Sequence, residues 1–332
     1  MRALVYTQPG EVQLQERPEP ELLDGEVVLR IDAVGICGSD LHAYHGHDPR
    51  RLPGLVLGHE LSGTVESSAV AHICAGMRFT ANPLITCGRC RYCIQGRDNL
   101  CSDRTMVGMT RPGAFADYMS IPARCLVPIP SDMSAVHAAL TEPAATALHA
   151  LNLCMRALIR PVGEARVLVI GGGAIGMLSA LLLRSYGGRR LTMVERNPLR
   201  RESAERHVQC EVVDTLDASR SAQYDLVIDA VGAKGTRDLA FQMIAAGGVV
   251  MHIGLQDWAS EIDMRKLTLS EITLLGTYTY TMADLHATVA ALHDGVFGNL
   301  GWVESRSLDH GDQAFRDLDE GRTAASKLVL VP

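Results

Sequence analysis

Residues 166–176 read RVLVIGGGAIG. Arg166–Ile170 has the length and β-branched content of a buried strand. The pattern Gly171-x-Gly173-x-x-Gly176 then interrupts it and opens an apolar helix that ends at Gly187-Gly188. Val167–Leu183 carries no charge and on hydropathy alone could pass for a membrane span, but its central glycines fit strand, turn and helix better. In that context the first glycine permits the tight turn. The second lets backbone approach a pyrophosphate, and the third lets helix pack on strand. A phosphate there meets the positive end of the helix dipole at Ala174 and Ile175. Further strands are expected at Leu191–Val194, Glu211–Val213, Asp225–Ala230, Gly248–Ile253 and Ile272–Thr277, with a helix at Pro198–His207. Strands alternating with helices mean an α/β, doubly wound parallel sheet. Glu195 ends the second strand, nineteen residues after Gly176. A carboxylate there accepts hydrogen bonds from the adenosine ribose and points to NAD. Arg196 and Arg200 are able to receive a 2′-phosphate, but Glu195 places a negative charge where that phosphate would sit.

The remainder reads differently. Met1–Thr7, Val27–Ala33 and Glu60–Val65 are expected strands, and the chain to Val127 is punctuated by Gly, Pro and Cys. That is a β-rich, loop-rich domain. Met133–Leu158 and Asp284–Asp294 read as helices, and Lys327–Val331 as a last strand. A length of 332 residues suits about two domains. A net charge of −7 argues against nucleic acid and anionic membrane as main partners. The opening apolar run is too short for a signal-peptide core, so a cytoplasmic protein is expected. Its nine cysteines then read as metal ligands rather than disulfides where they cluster.

Two clusters stand out. Cys87-x2-Cys90-x2-Cys93-x7-Cys101 brings four thiolates onto one loop with little apolar content. Four thiolates close a tetrahedron around a structural zinc, whose binding would supply the folding free energy that the loop lacks. An iron–sulfur centre usually follows a different spacing. The second cluster is Val34–His42, VGICGSDLH, with Gly58-His59-Glu60 downstream. Cys37 alone reads as a buried cysteine. Cys37 with His59 offers thiolate and imidazole, the ligands of a zinc that keeps a position open for chemistry.

Cys37-x-Ser39-Asp40-x-His42, Gly58-His59-Glu60 and the four-cysteine block together resemble the zinc-dependent medium-chain dehydrogenase/reductase family. The likeness is to its alcohol and polyol dehydrogenases, in the branch of sorbitol, sugar-acid and threonine enzymes, and runs from Met1 to Pro332. It implies a GroES-like β-rich catalytic domain at 1–143 and 282–332 with a structural zinc lobe at 84–102. A Rossmann domain for NAD takes 144–281. It also implies two zinc ions per chain and a homodimer or homotetramer. The third ligand of the catalytic zinc is left open. Leu140-Thr-Glu142-Pro-Ala resembles the branch with a glutamate there, so Glu142 is a ligand or a partner of the metal-bound water, and Glu60 is able to enter the shell. The likeness places Ser39 and His42 in a proton relay and Asp40 behind His59. Outside it, His42 reads as a surface histidine and Asp40 as a turn residue. Phe115, Thr279 and Tyr280 are expected to line the substrate pocket, although sorbitol-type enzymes carry arginine where Thr279 stands. The cluster from His45 to Arg51 either meets an acidic substrate or forms a solvated loop.

The expected activity is hydride transfer between NAD and a small-molecule secondary alcohol or its carbonyl, with a polyol, sugar alcohol or sugar acid foremost. L-Threonine or 2,3-butanediol is the alternative. A zinc-free quinone reductase would lack both metal clusters, and a nucleotide-sensing protein would not need Ser39 and His42.

Overall fold

The computed structural model describes residues 1–217 and 222–332. β1 (Arg2–Gln8) and β2 (Glu11–Glu16) form an antiparallel hairpin. The first large sheet comprises β3 (Glu26–Gly35), β4 (Glu60–Ser68), β5 (Arg78–Ala81), β8 (Tyr118–Pro122), β9 (Leu126–Pro128), β16 (Val303–Ser307) and β17 (Lys327–Val331). Its order is β16-β17-β3-β4-β5-β9, with β8 also on β3. Short strands β6 (Leu84–Ile85) and β7 (Thr105–Met106) pair at the base of the cysteine lobe, which holds the single-turn α2 (Arg91–Ile94). α1 (Gly38–Tyr44) follows β3, α3 (Ala135–Ala139) packs on β3 and β4, and α10 (Gly311–Asp319) packs against β2.

The second sheet is parallel throughout. It runs β12 (Glu211–Val213), β11 (Arg190–Val194), β10 (Arg166–Ile170), β13 (Tyr224–Asp229), β14 (Ile244–His252), β15 (Thr273–Gly276). The chain winds outward from β10 to β12, then returns to β13 on the other side of β10. That reversal is the switch point at which open α/β sheets bind ligands. Its helices are α4 (Thr141–Ala157), α5 (Ala174–Ser185), α6 (Pro198–Val208), α7 (Lys234–Met243), α8 (Met264–Leu269) and α9 (Met282–His293). No helix among the described residues is long and apolar enough to cross a membrane, so the uncharged stretch at Val167–Leu183 resolves into strand, turn and helix.

The chain rejoins the first sheet through β16 and β17. Ahead of them, Tyr280, Leu285, Val289, Leu292, Phe297 and Trp302 share one buried core with Val167, Met177 and Leu178 of the second sheet's layer.

α9 is clasped to α4. Thr281 caps it, and Asp284 accepts from His149 Nδ1 at 2.8 Å, Asn152 Nδ2 at 3.1 Å and Thr281 Oγ1 at 2.6 Å. Burial opposes ionisation of Asp284, but the bonds from His149 and Thr281 outweigh it and hold its pKa at about 2. A folded pKa below the unfolded one stabilises above the unfolded value and is lost as pH falls through the folded value. The clasp should therefore contribute about 1–2 kcal/mol above pH ~5, after allowing for partial screening, and fade from about pH 4 towards pH 2. Asp284→Asn should lower denaturant stability by that amount near neutrality and remove the corresponding slope in acid. An unchanged acid slope would contradict the assignment.

Candidate active site and cofactor cradle

Three neighbouring strands build the site. β17, β3 and β4 lie side by side, with Val329 opposite Gly35 and Gly35 opposite Glu60. Just beyond β3, Cys37 caps the start of α1. Just before β4, His59 turns in from Gly58. The ligand atoms of Cys37, His59 and Glu60 lie within 4.8 Å of one another, with His59 and Glu60 buried. This thiol, imidazole and carboxylate set suits zinc. A Cβ on residue 35 would stand 2.1 Å from Glu60 Oε2, so glycine there is what leaves room for the carboxylate.

A residue outside the expected site completes it. Lys327 Nζ, also buried, donates to both Glu60 oxygens at 2.7 Å and to the Ile36 carbonyl at 2.7 Å. Burial pushes the ammonium pKa down, but the charges of Glu60 and Cys37 outweigh it and raise it. Its neighbour Ser326 donates to the Gly172 carbonyl at 2.7 Å. The head of β17 thus touches the metal-ligand set and the glycine turn together.

Asp40 sits behind the histidine. Its Oδ2 accepts from the Cys37 amide at 3.0 Å, and its Oδ1 stands 3.5 Å from His59 Nδ1, with no hydrogen-bond partner for either of these last two atoms among the described residues. Nε2 is the nitrogen left to ligate. Burial disfavours a charged His59, yet Asp40 and Cys37 outweigh it and raise its pKa well above the usual range. A divalent cation binding there displaces that proton.

Arg51 is buried and donates to the Ser39 carbonyl at 2.6 Å, Ser39 Oγ at 3.2 Å and the Gly108 carbonyl at 3.0 Å. Arg50 pairs with Asp48 at 2.9 and 3.0 Å, and His45 meets Asp319 at 2.7 Å. His45, Arg50 and Arg51 are therefore each partnered within the protein, and Arg51 fixes Ser39. His42 is half-buried. Burial, then His47 and His45, depress its pKa, so it is neutral near pH 7.

Glu142 lies in the first turn of α4 and is buried. Its Oε1 accepts from the Tyr280 hydroxyl at 2.9 Å. Burial, aided by Glu60 and opposed by His59, raises its pKa to about 7. It falls outside the group of ligand atoms within 4.8 Å that contains Glu60. Phe115 belongs to the core of the first sheet. It is fully buried, edge-on to Phe315 with ring centroids 5.7 Å apart, and packs over Gly58. Thr279 has φ 45° and a buried hydroxyl without a partner among the described residues.

Cys87, Cys90, Cys93 and Cys101 converge. Cys90–Cys93 and Cys87–Cys101 sulfur pairs are each 3.5 Å apart. Sulfurs at about 2.3 Å from a tetrahedral zinc would be separated by roughly 3.8 Å, so this cage accepts the ion with little adjustment.

The cradle at β10–α5 shows each glycine's use. Gly171 has φ 99°. A Cβ on Gly173, which caps α5, would meet open space, and one on Gly176 would stand 1.8 Å from the Gly171 carbonyl oxygen. Glu195 ties the turn down, accepting from the Gly172 amide at 2.8 Å and the Asn197 amide at 2.7 Å. Arg196 is exposed, whereas Arg200 reaches the Leu318 carbonyl at 3.3 Å.

Breaking a buried ion pair leaves an uncompensated charge and costs about 3–5 kcal/mol. Lys327→Met should therefore lower denaturant stability by about that much, and adding Glu60→Gln should recover a large part of it. Additive losses in the double variant would contradict the pairing.

Residues 23–131 match the alcohol dehydrogenase GroES-like domain and residues 174–294 the zinc-binding dehydrogenase domain. An L-threonine 3-dehydrogenase of Mesorhizobium japonicum is 32% identical, over 99% of this chain and 98% of its own. The L-galactonate-5-dehydrogenase of Escherichia coli K12 is 31% identical, over 86% and 85%. Among solved structures, acetophenone reductase from Geotrichum candidum in complex with NAD superposes with a TM-score of 0.89 at 28% identity, covering 100% of this chain and 97% of that one. A zinc-binding dehydrogenase from Sinorhizobium meliloti bound to NADP does so at 0.87 and 28%, covering 100% and 99%. The chain belongs to the zinc-dependent medium-chain alcohol dehydrogenase family.

Proposed function

We propose that this enzyme oxidises a polyhydroxylated secondary alcohol, a sugar alcohol or sugar acid, with NAD. The observation that carries the reading is the buried Cys37, His59 and Glu60 set, joined through the head of β17 to the glycine turn. Zinc supplies a Lewis acid for the substrate oxygen, and NAD supplies the hydride acceptor. Cys37 and His59 hold the metal, with Glu60 as the third ligand while Lys327 neutralises part of its charge. Asp40 sets the His59 tautomer, as carboxylates behind ligating histidines do. Ser39, aimed by Arg51, would take the hydroxyl proton of the alcohol while passing its own through the cofactor's ribose hydroxyls to neutral His42, which releases a proton to solvent. The lobe cysteines hold the structural zinc.

Polarity beyond the metal supports the substrate class. Glu142 and Tyr280 form a buried donor–acceptor pair, and Thr279 adds a hydroxyl without a partner. Such groups favour a substrate with neighbouring hydroxyls and reject analogues that leave them unpaired. The galactonate relative agrees. L-Threonine, also a vicinally substituted secondary alcohol, is the second reading and is favoured by the Mesorhizobium relative.

For the cofactor, Glu195 stands at the glycine turn, while Arg200 is engaged with Leu318, which supports NAD over NADP. A second copy of the chain is supported by the β15 sheet edge with Leu255, Trp258, Met264, Leu269 and Leu274 exposed nearby, as in a homodimer or homotetramer. The free thiols fit a reducing, cytoplasmic setting.

NAD reduction across ethanol, 2,3-butanediol, L-threonine, alditols and aldonic acids tests the substrate class. Best turnover is expected with an alditol or aldonic acid, and turnover of ethanol alone would overturn the class. Cys37→Ala should remove activity and one of two zinc ions from a folded protein, whereas Cys93→Ala should impair folding. Glu195→Ala should narrow the preference for NAD over NADP by about tenfold or more, the worth of one charge-assisted contact. A wild-type preference for NADP would contradict the cofactor reading.

A further inference from the structure

The cysteine lobe reaches across the molecule to the turn between β15 and α9. Asn99, buried, donates from Nδ2 to the Tyr278 carbonyl at 2.8 Å, a contact between residues 179 apart in sequence. Asp98 Oδ1 accepts from the Met282 amide at 3.2 Å. Arg104 lies over the Tyr278 ring, 4.6 Å from its centroid, and donates to the Tyr278 hydroxyl at 3.3 Å. Its other arm is anchored on the Cys101 carbonyl at 2.6 Å. Both ends of residues 278–282 are thus gripped by side chains that bracket the fourth cysteine.

What lies between the grips is strained. Thr279 has φ 45°, a left-handed backbone that a β-branched residue rarely adopts. Its hydroxyl has no hydrogen-bond partner among the described residues to compensate. Strain of this kind persists only where the surroundings over-determine it. The lobe contacts on Tyr278 and Met282 are surroundings of that kind. The next residue, Tyr280, is fully buried and presents its hydroxyl to Glu142.

We propose that the cysteine lobe is a positioning element for the substrate site. Asn99 and Arg104 hold residues 278–282 in their strained form, so that the Tyr280 hydroxyl meets Glu142. The inference rests on the proposed function only in taking the Tyr280–Glu142 pair to face the substrate. A lobe that merely stabilised the fold would change the melting temperature and leave substrate affinity alone.

Asn99→Ala in the zinc-loaded enzyme leaves all four cysteines in place. Zinc content, amide exchange at 278–282, and KM and kcat with the best alcohol of the panel are measured together. The zinc content and the KM for NAD should stay at wild-type values. Exchange at 278–282 should rise by about tenfold or more as the turn opens locally. KM for the alcohol should rise roughly five- to tenfold, the worth of one hydrogen bond. In the Thr279→Gly background the left-handed backbone costs nothing, and Asn99→Ala should there raise KM less than about twofold. Arg104→Leu, at a more accessible position, should act in the same direction and serves if Asn99→Ala does not fold. Unchanged exchange, faster exchange with unchanged KM, or an equal KM penalty in the Thr279→Gly background would each overturn the proposal. The substrate class is tested separately, because exchange and KM ratios are read with whichever alcohol the wild type turns over.

Discussion

A carboxylate buried beside a thiol and a second carboxylate must be compensated, and in this protein the cation that compensates Glu60 comes from the other end of the chain. Lys327 contacts both Glu60 oxygens from the first residue of the last strand. Desolvating two such charges is repaid only by close geometry with every remaining donor and acceptor engaged. The third Lys327 contact, to the Ile36 carbonyl, lies one residue before Cys37. The ion pair therefore dictates that β17 return to β3, that residue 35 be glycine, and that the Cys37 loop lie where a metal would meet it.

The same strand head couples metal chemistry to cofactor chemistry. Ser326 bonds the carbonyl of Gly172, whose amide is held by Glu195. A hydride donor carbon and an acceptor ring must be brought together within a near-attack distance. A hydrogen-bonded path from Glu195 through Gly172 to Ser326, adjoining Lys327 and Glu60, fixes one sheet on the other. α4 joins them a second time, since it starts with Glu142 at the site and buries its length in the core of the parallel sheet.

What could be read from sequence was what is encoded locally. Gly171, Gly173 and Gly176 reveal themselves because each performs a backbone task within six residues. The four lobe cysteines do so because their spacing is their geometry. Glu60 was legible as a neighbour of His59, but its counter-ion was not, because nothing around Lys327 in SKLVLV names a partner 267 residues away. Arg50 and Arg51 looked alike in sequence, yet one lies at the surface beside Asp48 and the other is buried against Ser39. Phe115 was expected in a pocket because an aromatic after Gly113-Ala114 reads the same there as in a core, and its contact with Phe315 across 200 residues has no local signal. Where the chain leaves the parallel-sheet layer for the first sheet is hard to read from sequence for a related reason. α9 carries apolar residues that either sheet could bury, and α4 took them.

Two separate ligand sets should hold two zinc ions, one of them with Glu60 beside Cys37 and His59. The most direct measurement is an anomalous-difference map from a crystal, with data collected on both sides of the zinc absorption edge. Two peaks per chain are expected, one among the four lobe sulfurs and one within bonding distance of Cys37 Sγ, His59 Nε2 and a Glu60 oxygen. A single peak at the lobe, or a second peak whose protein ligands include neither Cys37 nor His59, would contradict it.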